Sequence, residues 1–419
     1  MPQRIIVVGA GFAGMWSALA ARRFISMNLK TKEPDIEVIV VAPEPRLVIR
    51  PRLYEANPAS MSAPLEDLFQ VTGVQFIQGT VKSISTDEHA IEVADPTGTK
   101  STYGYDRLIL AAGSRLQRPN IPGLQDHSYD VDQIEGATKL ENHLKRLASI
   151  TPSQARDTVV VCGSGFTGIE LATELPQRLR GFLGDHSNIR VVVVERGNEI
   201  GKDIGPNPRP VIMEALQQLG VEVKLGAAVT KIDAEGVTLS TGEYIRTLTA
   251  VWTAGMIANE LNKQVPGEKD KAGRLHVDKD LRALLVHDVF VTGDAAVAAT
   301  DDQGNHTLMS CQHAMPLGTA AGHNAAADLL GIATTPYSQP VYGTCLDLGA
   351  FGAVVSEGWD RKVVSKGPEG KRTKQVINTA LIYPPKANVA EAFEGADPTV
   401  SAAPAARRLY LSIIKSAGN

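Results

Sequence analysis

The 419-residue chain carries 42 Lys+Arg against 46 Asp+Glu, a formal net charge of −4, and is 43% hydrophobic and 21% charged. These values sit near folded-protein averages and exclude a disordered chain, collagen and a disulfide-stapled miniature, while the length fits two or three domains. The slight acidity leaves no electrostatic footprint for nucleic acid, and the widely spaced Cys162, Cys311 and Cys345 form neither a CxxC pair nor a metal cluster, as in a reduced cytosolic protein.

Arg4 precedes a charge-free stretch, Ile5 to Ala21, that superficially resembles a signal peptide. It is short for a bilayer, and its glycines have another physical reading. Ile5-Ile6-Val7-Val8 is a continuous apolar run of the kind buried in a parallel sheet. It leads into Gly9-Ala10-Gly11-Phe12-Ala13-Gly14, then a helical stretch from Met15 to about Phe24. Glycines so spaced allow a tight turn, backbone approach to a pyrophosphate and close helix–strand packing, with the phosphate at the positive end of the helix. The second strand, Ile36 to Val41, should end in an acidic residue that holds a ribose. Ala42 occupies that place and Glu44 is the nearest carboxylate. Either Glu44 reaches back or the ribose is held otherwise.

Further on, Tyr105 to Gly113 reads as a strand ending in the small residues Ala111, Ala112 and Gly113. The glycine pattern then recurs as Gly163-Ser164-Gly165-Phe166-Thr167-Gly168, after the apolar run Val159 to Cys162 and before a helix from Ile169 to Leu175. Here the following strand, Val191 to Val194, does end in an acid, Glu195. A carboxylate there accepts the ribose hydroxyls and repels a 2′-phosphate, favouring NAD(H), although Arg196 next door weakens the preference. Ala250 to Gly255 repeats the strand-into-small-residues idea, and Val289-Phe290-Val291-Thr292-Gly293-Asp294 delivers an Asp at a strand's carboxyl end, where open α/β sheets place ligands. One such unit binds a nucleotide; two bring two nucleotides together, which serves redox chemistry.

This order of motifs resembles the two-dinucleotide-fold flavoproteins of the pyridine nucleotide–disulfide reductase superfamily, over residues 4 to about 355. Within it the chain is similar to type II NADH dehydrogenases, single-subunit NADH:quinone oxidoreductases, through Gly163 to Glu170, Val251 to Gly255, Gln312-His313-Ala314 and Tyr342 to Val354. The resemblance implies that FAD lies against Gly9, Gly11, Phe12, Ala13, Gly14, Ala112, Gly113, Gly293 and Asp294, with Glu44 and Arg50 close by. It implies that NADH lies against Gly163, Gly165, Phe166, Thr167, Gly168, Glu195 and Gly255, with Glu170 beside the nicotinamide. A helix from about Gln312, with His313 and Ala314, would bring its positive end to the flavin. Hydride would pass from NADH to flavin N5, then two electrons to a quinone-like small molecule, with the cofactor carrying the chemistry.

The implied fold is α/β, with two Rossmann-like, glutathione-reductase-like domains. An FAD domain in two pieces, 1–120 and 275–335, accepts an inserted NAD(H) domain, 150–270, and a small α+β domain, 336–419, closes the chain.

Several departures bear on the acceptor. The cysteine pair of the disulfide reductases is missing, and Cys311 and Cys345 read as packing rather than as a sulfide-oxidising pair. In the glutamine segment that lines the family's quinone pocket, Gln312 is kept but Pro316 and Leu317 replace polar positions. Pro316 suits a helix only in its first turn. In Val48 to Glu55, Arg50 or Arg52 offsets negative charge near the flavin, or Arg52 simply pairs with Glu55. Residues 355–400 read as polar and interrupted. Only Ala403 to Ser416 looks helical and basic-amphipathic, suited to docking on the protein body or a homodimer partner, or to at most peripheral membrane contact. The expected location is cytoplasmic, either free or peripheral at the inner face of the membrane. Alternatives to quinone reduction are electron delivery to a ferredoxin or rubredoxin, a specialised metabolite as acceptor, and a low-turnover NADH-sensing module.

Overall fold

A computed structural model describes residues 2–29 and 35–399. The helix expected over 403–416 lies outside the described residues. The apolar, β-branched runs form the centres of two parallel sheets. In the first, the spatial order is Gln75–Gln78, Ile36–Ala42, Gln3–Val8, Arg107–Leu110 and Val286–Val291, with Arg282–Ala283 antiparallel on the far edge. In the second, it is Val221–Lys224, Arg190–Val194, Thr158–Cys162, Thr249–Trp252 and Ser128–Tyr129, parallel throughout. Each sheet is covered on both faces, so its central valines and isoleucines are fully buried, each stabilising the fold by about 1.5–3 kcal/mol.

The second sheet lies in the chain between the fourth and fifth parallel strands of the first. The outgoing and returning connections run side by side as an antiparallel pair, Ser114–Leu116 with Met256–Ala258. Each sheet also carries a three-stranded antiparallel meander: Thr80–Ser85, Ala90–Ala94 and Lys100–Gly104 on the first, Val229–Asp233, Gly236–Leu239 and Tyr244–Arg246 on the second.

The closing region is a small α+β unit. Three antiparallel strands, Gly343–Asp347, Ala353–Glu357 and Lys362–Lys366, are followed by helices Gly367–Val376 and Val389–Gly395. The polar stretch after 355 is therefore more ordered than its composition suggests. Gly367, Gly370, Thr373 and Lys374 form one buried face of the first of these helices, and Gly370 is small enough to lie against the Ala353 carbonyl.

Two helices of the FAD region cross at close range. Phe12–Asn28 and Cys311–Leu329 meet where Gly318 and Gly322 face the backbone of Ala13 and Ser17, and Ser17 Oγ donates to the Gly318 carbonyl at 2.9 Å. This contact ties the start of the later helix to the first glycine turn.

Candidate functional site

The first turn is closed inside and open outside. Gly9 leaves its strand at φ +110°, and a Cβ there would lie 2.5 Å from the Ala111 carbonyl oxygen. A Cβ on Gly14 would collide with the Gly9 carbonyl, yet no protein atom lies within 4 Å of the position facing Gly11. Gly11 opens the helix with φ −72° and ψ −170°, with no side-chain cap and no acid in the first turn. Its leading N–H groups face open space, a fit for the pyrophosphate of a dinucleotide. Phe12 is half-buried and Ala13 buried beneath the turn.

The rim of this turn is polar. Ala112 and Gly113 follow the fourth strand, and Gly113 also faces open space. Gly293 sits between Ala13 and Ala314, its missing Cβ falling 2.7 Å from the Ala13 methyl. Next to it, the Asp294 carboxylate accepts from Ser114 Oγ at 2.6 Å and lies 3.9 Å from Arg50 Nη1. Arg50 also pairs with Asp132 and donates to Ser114. Arg52 instead makes a two-pronged pair with Glu55, at 2.7 and 3.0 Å, and donates to Tyr383. Glu44 does not turn back toward Ala42; it pairs with Arg46 at 2.7 Å on the surface.

The second turn repeats the first almost angle for angle. Gly165 has φ −72° and ψ −175°, again without a cap or acid, and faces open space. Gly163 approaches Ala254 and Thr253, and a Cβ on Gly168 would meet the Gly163 carbonyl. Phe166 is half-buried and Thr167 exposed. Glu195 is held by Ser164 Oγ at 2.6 Å, Ser164 N–H at 3.1 Å and Gly197 N–H at 2.7 Å. Gly255, at φ +81°, accepts from Gln117 N–H at 2.7 Å where the two connections cross.

Glu170, in the second turn of helix Phe166–Leu183, is 6% exposed and paired with Lys374, also 6% exposed. Lys374 Nζ donates to Glu170 Oε1 at 2.7 Å and to the Cys345 carbonyl at 3.1 Å; Asp347 N–H donates to the same carboxylate oxygen at 3.1 Å. Burial pushes the Glu170 carboxyl up, against the lowering by Lys374. Burial works against the Lys374 ammonium, but neighbouring negative groups, Glu170 above all, bring it out raised. Lys374 therefore stays charged beside Glu170. Asp347 in turn accepts from Tyr54 Oη at 3.0 Å and from Lys371 Nζ at 2.6 and 2.8 Å. From the sequence alone Lys374, Lys371, Asp347 and Tyr54 have no assigned role, because the contacts that join them to Glu170 span up to 204 residues. The one available signal was a buried-helix carboxylate in want of a cation.

Helix Cys311–Leu329 is capped by Ser310, whose hydroxyl accepts from His313 N–H at 3.3 Å. His313 is fully buried; its Nδ1 accepts from Leu308 N–H at 3.1 Å, and burial lowers its pKa to about 4. Pro316 stands in the second helical turn rather than the first. The Gln312 carbonyl that its missing N–H would have bonded takes the Gln339 side-chain amide instead, at 3.3 Å. The Gln312 amide faces the Gly343 backbone, donating to its carbonyl and accepting from its N–H at 3.2 Å. Cys311 and Cys345 are half-buried, and desolvation pushes their thiols up to about 11 and about 12, far from thiolate chemistry at neutral pH.

One phosphate-ready turn makes a nucleotide binder. Its duplication on a second parallel sheet, with an Asp at a strand end beside one turn and a locked glutamate beside the other, makes a two-nucleotide flavoprotein oxidoreductase. The chain belongs to the pyridine nucleotide-disulphide oxidoreductase family, which residues 3–318 match. It is an FAD-dependent NAD(P)H oxidoreductase. It is 44% identical over 384 residues, 91% of this chain and 94% of the relative, to the NADH dehydrogenase-like protein MT1860 of Mycobacterium tuberculosis (strain CDC 1551 / Oshkosh). The demethylphylloquinone reductase NdbB of Synechocystis is 29% identical over 361 residues, covering 84% and 86% of the two chains. In fold, the chain matches NDH2 from Plasmodium falciparum, solved in complex with NADH, with a TM-score of 0.74 at 15% identity over 90% and 94% of the chains. No helix among the described residues is long and apolar enough to cross a membrane.

Proposed function

We propose that this chain is an FAD-dependent NADH dehydrogenase that passes hydride from NADH to FAD and then two electrons to a quinone-like small molecule. The observation that carries the reading is the pair of uncapped, glycine-opened helix starts, of which the second alone is closed by a hydrogen-bonded carboxylate, Glu195. The names of the similar proteins in M. tuberculosis and Synechocystis favour NADH as donor and a quinone as acceptor. We further propose a cytoplasmic enzyme with at most peripheral membrane contact.

In this reading, the backbone N–H groups after Gly11 hold the FAD pyrophosphate, while Asp294, Ser114 and Arg50 orient the adjoining ribityl end. When bound, FAD accepts hydride at N5 and releases two electrons. The N–H groups after Gly165 hold the NADH pyrophosphate, Glu195 takes the ribose hydroxyls, and Glu170, kept in place by Lys374, lines the nicotinamide. The helix that starts at Cys311 and Gln312 would bring its positive end to the flavin. Reducing a quinone to a quinol takes two electrons and two protons; the hydride supplies the electrons and one proton, and solvent supplies the other.

Other acceptors are less well supported. A protein acceptor would need free basic groups, and Arg52 is engaged by Glu55. The test is anaerobic reduction of the holoprotein with one equivalent of NADH, followed by a soluble short-chain quinone, with air as comparison. Reoxidation by quinone well ahead of air is expected. Bleaching by NADH with no advantage for quinone would sink the acceptor assignment.

A further inference from the structure

Arg361 is an anomaly in the closing region. It is 6% exposed, yet among the described residues no carboxylate lies within ion-pair distance of it, its Nη1 has no hydrogen-bond partner, and its backbone takes φ +57°. A buried, unpaired cation in a left-handed conformation is costly, so a fold that keeps one gains something from its charge.

The residue is held by packing. Its guanidinium carbon lies 4.3 Å from the centroid of the Tyr342 ring, and its Cγ lies against Gly205. The aromatic face substitutes for a counter-ion without neutralising the charge. Tyr342 stacks on His313, with centroids 4.5 Å apart and planes within 3°. Trp359 lies 5.0 Å from the Tyr342 ring and 5.9 Å from His313. His313 is the third residue of helix Cys311–Leu329, and the charge of Arg361 is among the causes, after burial, that hold its imidazole neutral. The start of this helix abuts the FAD turn through Ala314 and Gly293.

Among the described residues, the other charges facing that helix start are paired, and Asp360, next to Arg361 in the chain, is exposed and makes no ion pair with it. Glu170 is matched by Lys374 and Asp347 by Lys371, Arg274 is bound to Asp270, and Asp294 and Asp132 face Arg50. Among the described residues, Arg361 is left as a positive charge in a poorly screened interior, on the same side as the positive end of the helix dipole.

We infer that Arg361 is a flavin-tuning residue: its uncompensated guanidinium, stacked on Tyr342 behind His313, reinforces the positive start of helix Cys311–Leu329 and stabilises negative charge on the reduced flavin. This rests on FAD lying against that helix start. In this role Arg361 is a positioning charge that acts by its field.

The test is the midpoint potential of the bound flavin, read at equilibrium against a reference dye with no acceptor present. Arg361→Gln is expected to make reduction at least tenfold less favourable, a fall of about 30 mV for two electrons. Arg361→Lys, which keeps the charge, should lose less than half of that. Tyr342→Leu, which frees the guanidinium, should shift the potential in the same direction and decides the matter if Arg361→Gln holds no flavin. An unchanged potential in a folded, flavin-loaded Arg361→Gln protein overturns the inference, whatever happens to its melting temperature. A wild-type protein that takes up no FAD would instead overturn the cofactor reading beneath it.

Discussion

The two glycine turns share a backbone and differ in what closes them. Their helix-opening glycines agree within 5° in ψ at the same φ. Strand register makes Ala10 and Ala42 of the first unit equivalent to Ser164 and Glu195 of the second. The first turn therefore closes on two methyl groups and the second on a hydroxyl–carboxylate bond. The divergence continues one turn into each helix, where Trp16 and Glu170 are equivalent. Both are buried against the closing region, Trp16 beside Gly395 and Glu170 beside Lys374. Backbone geometry thus provides a phosphate cradle in both places, and the side chains around it assign the nucleotide.

The largest expected effect comes from breaking the first cradle. Gly14→Ala puts a methyl into the Gly9 carbonyl, an overpacking that costs about 1–3 kcal/mol or more. The protein should purify without flavin, seen as loss of absorbance near 450 nm. Full flavin content would contradict the placement of FAD.

The Trp16–Glu170 contrast is sharpened by Lys374→Met, which leaves Glu170 buried without its cation and should cost about 3–5 kcal/mol in urea denaturation. Adding Glu170→Gln should restore most of that loss. Equal instability of the double variant would mean that Lys374 matters for packing alone.

The serine-capped helix offers a pH test of the third N-terminus. His313 resists protonation down to about 4 in the fold, whereas an unfolded histidine protonates near ~6.5. Between those values the unfolded chain binds the extra proton, so stability falls as pH drops through that window, by up to ~3 kcal/mol. His313→Phe should flatten the slope there, measured as unfolding free energy against pH. A slope as steep as wild type would show that other groups govern it.

A smaller change is expected when the closing carboxylate loses its charge. Glu195→Gln should raise the KM for NADH about tenfold, the worth of one charged hydrogen bond, and narrow the preference over NADPH, with flavin content untouched. No change in either constant would remove Glu195 from the nucleotide site.

The comparison also marks where sequence reasoning stops. Continuous runs such as Ile5–Val8 and Val159–Cys162, each delivering a glycine turn, identify both sheets because buried parallel strands need apolar residues on both faces. Glu195 was legible for the same reason: it ends a strand whose end is a fixed place. Glu44 was not, since whether it turns to Ala42 or to Arg46 depends on side-chain geometry. Pro316 looked confined to a first turn because sequence alone does not show that Gln339 stands ready for the freed carbonyl. Lys374 and Arg361 read as parts of a polar run; their burial comes from a helix and a hairpin folded against elements far away in the chain.

The most direct test of the division between the turns is Gly168→Ala, the counterpart of the flavin-turn variant. The account predicts wild-type flavin content but reduction by NADH slowed about a hundredfold at fixed concentration, the equivalent of ~3 kcal/mol. Loss of the flavin, or unimpaired reduction by NADH, would contradict the assignment of NADH to the second turn.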